Sequence, residues 1–178
     1  VKKQNKMKKV KLMMMTLMMC LFTMSTFSQS WEVKESKDEF GDANGDKYAV
    51  CSNDGGTFSN SATSNSDLTV VVFYSKDAIY LTFWEYDRNK ADFGSDIEYG
   101  SIQIKDSIGT VHNIKVEQFK SSLYIGKSDI ELFVKLMCEN NGYLKCYYKE
   151  VSKYSSSTYK FRLNTEGFKV AKETLNFN

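Results

Sequence analysis

The 178-residue sequence contains no proline, which excludes polyproline recognition tracts and proline-stiffened linkers. It has one histidine, His112, so no Cys/His zinc spacing exists. Arginine occurs only at Arg88 and Arg162, and arginine is the residue best suited to bidentate phosphate contact. Phosphate-cradling loops of the G-x-G-x-x-G or P-loop type are missing, as is the G-x-S-x-G nucleophile elbow. There is one long apolar run, which argues against a multi-pass helical membrane protein. What remains is an ordinary globular balance of 42% apolar and 26% charged residues.

The apolar run lies at the N-terminus. Residues 1–11 carry six lysines and no acid, and an uncharged stretch follows from Leu12 to Phe27. Thr26-Phe27-Ser28 puts small residues at −3 and −1 of a cut before Gln29. This is the pattern of a secretory signal peptide, expected at 1–28. A retained anchor is the alternative, but the run is shorter than the roughly 20 residues a spanning helix needs. A lipid anchor at Cys20 is another; the preceding Met19 is larger than such sites prefer. Export to the periplasm or the medium is the expectation, with no membrane span after the signal is removed.

Beyond the leader, 18 basic side chains face 22 acidic ones, a balance of −4. That is not the footprint of a nucleic-acid binder. Three cysteines remain, Cys51, Cys138 and Cys146. Cys138 and Cys146 flank the turn Glu139–Gly142 and are candidates for a bridge in an oxidising compartment; otherwise all three are buried thiols.

Turn-forming clusters recur every ten residues or so with short apolar runs between them, the mark of an all-β domain. Strands are expected at Trp31–Ser36, Tyr48–Cys51, Thr57–Ala62, Leu68–Tyr74, Ala78–Tyr86, Ile97–Lys105, Thr110–Val116, Ser121–Ile125, Tyr143–Val151 and Thr158–Leu163. Asp54-Gly55-Gly56 reads as a turn, Arg88 to Ser95 as a polar loop, and Lys76-Asp77 and Ser107-Ile108-Gly109 as hairpins. Ser128 and Glu131 have capping-box spacing before a helix at Asp129–Cys138, and Phe168, Ala171 and Leu175 share a face of a final helix at Glu166–Leu175. The reading is a single domain, 29–178: a mainly β, jelly-roll-like antiparallel sandwich with two short helices near the C-terminus.

The segment Asp38-Glu39-Phe40-Gly41-Asp42, with Gly56-Thr57-Phe58-Ser59-Asn60-Ser61-Ala62-Thr63, resembles a family of uncharacterised bacterial exported domains that share DEFGD and G-x-F-S-N-S-A-T. That resemblance brings no activity. The closing run, Tyr159-x-Phe161-x-Leu163 to Gly167-Phe168-x-x-Ala171-x-x-x-Leu175, is similar to the end of invasion-associated locus B and type VI secretion-associated periplasmic β-sandwich proteins. It implies a fold and no functional residue.

Three groups of residues are candidates for chemistry. Asp42-x-Asn44-x-Asp46 matches the first three oxygen ligands of a calcium loop. Lys47 and Asn53 then stand where Gly and Glu belong, so a structured turn is the plainer reading. No other cofactor is implied. Tyr80, Trp84 and Tyr86 share a face by period two: core if covered, a platform for sugar rings if open, with core the expected case. Tyr147, Tyr148 and Tyr154 are expected to be partly exposed. His112 on a strand is expected to be an ordinary hydrogen-bonded side chain, and no acid pair stands out for hydrolysis. The function expected is an exported, non-catalytic binding or interaction domain whose partner is an envelope protein or a glycan. The alternatives are a carbohydrate-binding module and an envelope-associated hydrolase.

Overall fold

The computed structural model describes residues 30–151 and 156–177; the leader expected at 1–28, Cys20 and Tyr154 lie outside them. Ten strands form: β1 (Glu32–Lys37), β2 (Ala43–Ser59), β3 (Ser66–Tyr74), β4 (Ile79–Glu85), β5 (Asn89–Lys90), β6 (Glu98–Lys105), β7 (Val111–Phe119), β8 (Ser122–Ile125), β9 (Tyr143–Val151) and β10 (Ser156–Asn164). Two helices join them, α1 (Ile130–Glu139) and α2 (Phe168–Leu175).

The strands do not stack as two sheets. They run in the order β2-β10-β9-β6-β7-β8-β4-β3, and β3 pairs again with β2, closing an eight-stranded antiparallel barrel. The sandwich expectation is thereby corrected. Strand spacing and alternation are alike in both architectures; what decides is whether one strand finds partners on both edges. β2 does. One edge pairs along β3, while the other pairs with β1 from Ala43 to Val50 and with β10 from Thr57 to Ser59. β1 and β5 are appendages to the ring.

The change of partner falls on a bulge between Asn53 and Gly56, where the sequence suggests a turn. Asp-Gly-Gly supplies a positive φ at Gly55 (+76°) to a bulge as readily as to a reversal. Gly56 has no room for a side chain: a Cβ there would lie 3.0 Å from the Leu68 carbonyl oxygen and 3.1 Å from Phe161 Cβ. Asn53, buried at this point, donates to the Val70 and Cys51 carbonyls at 3.1 and 3.3 Å and accepts from the Asn164 backbone N–H at 2.7 Å. One side chain thus ties β2 to β3 and to the end of β10.

Inward residues fill the barrel. Phe58, Phe83, Phe93, Tyr148, Tyr159 and Phe161 pack in its interior, with ring centroids 5.1 to 6.3 Å apart in mostly edge-to-face pairs. Tyr159, Phe161 and Leu163 all point inward, as their alternation suggests. Tyr148 is fully buried, contrary to expectation, because it alternates with Lys145, Tyr147 and Lys149 on β9. Apolar residues face in and charged ones face out, the inverse of a lipid-facing barrel. Among the described residues no helix is long and apolar enough to cross a membrane.

Both connections that skip strands act as stoppers. The chain from β4 to β6 passes over one mouth and buries Ala91 and Phe93, held by Phe93 N–H to the Lys120 carbonyl (2.6 Å) and Lys120 N–H to the Gly94 carbonyl (2.8 Å). This segment reads as a polar loop in sequence; its two apolar residues are the plug. The chain from β8 to β9 passes the other mouth as α1, and α2 joins it there. Trp31 packs edge-on to Phe168 at 4.8 Å and donates from Nε1 to the Asn164 carbonyl at 2.9 Å. The capping box does not form: Asp129 is the N-cap, without a side-chain cap bond, and its carboxylate accepts instead from the Lys115 N–H at 2.6 Å.

Candidate binding surface

With the interior filled, contact chemistry is left to the outside of the ring. Four strands, β2, β3, β4 and β8, make one outer wall. Cross-strand register puts Val50, Phe73, Tyr80 and Tyr124 in one row. The rings touch in sequence: Tyr48 to Phe73 at 6.1 Å, Phe73 to Tyr80 stacked at 4.7 Å, and Tyr80 to Tyr124 at 5.3 Å. Each ring shelters its neighbour, so Tyr48, Phe73, Tyr80 and Tyr124 are half-buried. The next row, Val71, Thr82 and Ser122, is uncharged as well. Burial holds the Tyr80 hydroxyl above its ordinary pKa, with smaller contributions from Tyr124 and Tyr48.

Beside Tyr48, Phe73 and Tyr80 opens a recess of about 510 Å³. Its polar edge includes Ser36, Asp46, Lys47, Ser75 and Asp77. The volume is within the range of small-ligand clefts. A stacking face with hydrogen-bonding groups along one side is an arrangement that holds a ring carrying hydroxyls.

The aromatic trio expected from sequence divides. Tyr80 and Trp84 do share a face, but it is the outer wall and not the core, because Ile79, Leu81 and Phe83 take the inward positions of β4. Trp84 lies four residues along β4 from Tyr80, beneath the Lys90 ammonium, which is 5.2 Å from the ring centroid. Tyr86 leaves the strand at φ +53° and packs edge-on to Phe58 at 5.0 Å. Phe73 and Tyr124 are the members sequence reasoning missed. Phe73 had a signal: a hairpin centred on Lys76-Asp77 pairs it with Tyr80.

The other candidates do not assemble. Asp42, Asn44 and Asp46 lie on or just before β2, and their neighbourhood is occupied with backbone. Asn44 Oδ1 accepts from the Asp46 N–H at 3.0 Å, and Asp38 Oδ1 accepts from the N–H groups of Phe40 and Asp42 at 2.9 Å. Among the described residues no group of three or more His, Cys, Asp or Glu is arranged to hold a metal ion. Cys51, Cys138 and Cys146 are all free thiols, so the bridge expected between Cys138 and Cys146 is not formed. Burial pushes the Cys51 thiol up to about 12, with lesser contributions from Asp54 and Glu32, and burial raises Cys146 too. Neither is a ready nucleophile.

His112 meets one acid. Its Nε2 lies 2.9 Å from Asp106 Oδ2 at the β6–β7 turn. The hydrogen bond from His112 holds the Asp106 carboxyl below the ordinary range, helped by N–H donors from Thr110 and Ile108. The nearby Ser107 hydroxyl donates to Asn140 Oδ1 at 2.8 Å, away from the imidazole. Acids do gather at the mouth stoppered by Phe93. Glu85 accepts from the Tyr159 hydroxyl at 3.0 Å, Glu98 accepts from Gln118 Nε2 at 2.8 Å, and Gln118 Oε1 accepts from the Tyr148 hydroxyl. Burial, then the charges of Glu85, Glu98 and Asp92, raise Glu150 above the ordinary carboxylate range, against a hydrogen bond from Ser157. These groups satisfy the ends of the interior tyrosines.

No family model, curated protein or solved structure matches this chain.

Proposed function

We propose that the protein is an exported, non-catalytic binding module that holds a neutral sugar chain on the outer wall of β2, β3, β4 and β8. The observation that carries this reading is the in-register row Phe73–Tyr80–Tyr124, extended by Tyr48, on the outside of a barrel whose core is already complete. Fold stability asks for apolar side chains inside; it does not ask for adjoining rings outside. The row offers apolar ring surface, mainly ring edges where Phe73 and Tyr80 stack on each other, to the C–H groups of a pyranose, and the neighbouring recess offers hydroxyl, carboxylate and ammonium partners to the sugar's hydroxyls. Export rests on the lysine-rich start and the apolar stretch that follows it. The non-catalytic reading is supported by the engagement of His112 with Asp106 alone and by the raised thiols.

Titration with cello-, xylo- and chito-hexaose, followed by the fluorescence of Trp84 on the same wall, tests it. At least one oligosaccharide is expected to bind, and Tyr80→Ala is expected to weaken that binding about tenfold, the value of one well-stacked ring. Failure of all three sugars to bind would contradict the proposal, as would equal affinity in wild type and a Phe73→Ala/Tyr80→Ala double variant.

A further inference from the structure

The opposite side of the barrel has a different surface. Its outer wall is made by β7, β6, β9 and β10, and six cations project from it: Lys105, Lys115, Lys145, Lys149, Lys160 and Arg162. All six are exposed, and among the described residues none of them forms an ion pair. Glu117 is the one acid that projects with them; Glu98 stands at the rim, held by Gln118. A chain with a net negative body thus concentrates a third of its 18 post-leader cations on one wall.

Register makes the arrangement sharper. Arg162 is directly opposite Lys145, and Lys145 is directly opposite Lys105. Three like charges in a row on adjacent strands, about 4.8 Å apart in strand spacing, oppose one another and weaken the sheet. Folding gains nothing from such a row; a bound anion would. One row further along, Tyr147 sits half-buried opposite Lys160 and Gln103. Between Tyr147, Tyr99, Ser101, Gln103 and Lys149 is a recess of about 430 Å³, with Glu98, engaged by Gln118, on its rim side.

We propose that this wall binds an acidic polysaccharide, a polymer of sugar rings bearing carboxylates. Charge complementarity selects an anion. Five of the six cations are lysines, point charges suited to spaced carboxylates rather than forks for phosphate. The recess between two tyrosines fits a ring, and the outward apolar side chains of β7, exposed Val111 at one end and half-covered Phe119 at the other, are separated by Asn113, Lys115 and Glu117 and form no patch for an anionic bilayer to take up. The site is independent of the aromatic wall.

The test measures fluorescence anisotropy of end-labelled polygalacturonate with the full chain, against a Lys105→Gln/Lys145→Gln/Arg162→Gln variant. Both carry the same N-terminal lysines, so the difference reports the wall. Wild type is expected to bind at least about tenfold more tightly than the variant, with affinity falling steeply between about 50 and 200 mM salt. Tyr80→Ala is expected to leave this binding unchanged, which separates its failure from failure of the neutral-sugar reading. The single variant Lys145→Gln is expected to melt about 1–3 °C higher than wild type, because it relieves the row. The proposal is overturned if polygalacturonate does not bind or binds the triple variant equally. It is also overturned if phosphatidylglycerol vesicles bind as tightly as the polymer, or if Lys145→Gln melts no higher than wild type.

Discussion

Replacing Phe83 with alanine is expected to cost about 3–5 kcal/mol of folding stability, measured as the shift in a urea unfolding curve at constant slope. Phe83 is fully buried at the centre of the barrel. Its ring lies 5.1 Å from Tyr159, 5.3 Å from Phe161, 5.7 Å from Phe93 and 6.3 Å from Tyr148. Four neighbours, on β9, β10 and the plug segment, would border the cavity, and a closed ring of strands cannot contract around it. The control is the adjacent residue. Trp84 is larger, but it faces out and is half-covered, so Trp84→Ala is expected to cost under about 1.5 kcal/mol. If the two costs were reversed, β4 would be turned the other way and the aromatic wall would be the core.

The second large effect concerns a polar residue. Asn53→Leu keeps the approximate volume of the side chain and removes three hydrogen bonds, to the Val70 and Cys51 carbonyls and from the Asn164 N–H. In a buried site the groups left behind lose about 1–3 kcal/mol in all for want of those partners. Because Asn53 stands where β2 passes from β1 to β10, the damage is expected to be directional. Hydrogen exchange in the variant is expected to speed up at Leu163–Thr165 and at Val70, while amides of the β6–β7 hairpin stay protected. Uniform exchange changes would show that Asn53 is ordinary core and not the tie between three strands.

Local pattern was enough to read most of the strands. Tyr143–Val151 is legible to the residue, and β3, β4, β6 and both helices begin and end within two residues of their expected bounds. Their signals are short-range: alternation, β-branched runs, a turn pair, an i, i+3, i+7 stripe. Closure of the ring is a different kind of fact. It depends on β2 being long enough to change partners and on a bulge that aims it, and Asp54-Gly55-Gly56 has the same residues whether the chain reverses there or bends. The direction of Tyr80 failed for a related reason. Alternation says which residues share a face; Ile79, Leu81 and Phe83 are the more apolar set and take the inside, but the size of the Tyr80 and Trp84 rings pulls the reading the other way. Phe93 was hidden among Asp, Asn and Lys in a segment whose composition is that of a loop. The basic wall was invisible because its members are spread over 58 residues of sequence, from Lys105 to Arg162, and are brought together by register alone.

Two outer walls of unlike chemistry follow from one packing decision. Once six aromatic residues from five segments fill the interior, the alternating positions of every strand are released to the outside. There they are free to carry rings on one side and lysines on the other.

Everything about the two walls depends on the ring being closed between β2 and β10. Amide-proton NOEs in the folded protein test this directly. The account predicts cross-strand contacts between Thr57 and Lys160 and between Phe58 and Tyr159, together with contacts from Phe58 to Ser66 on the other edge of the same strand. Contacts on the Ser66 side alone, with rapidly exchanging amides along Thr57–Ser59, would mean an open sheet and would contradict the barrel.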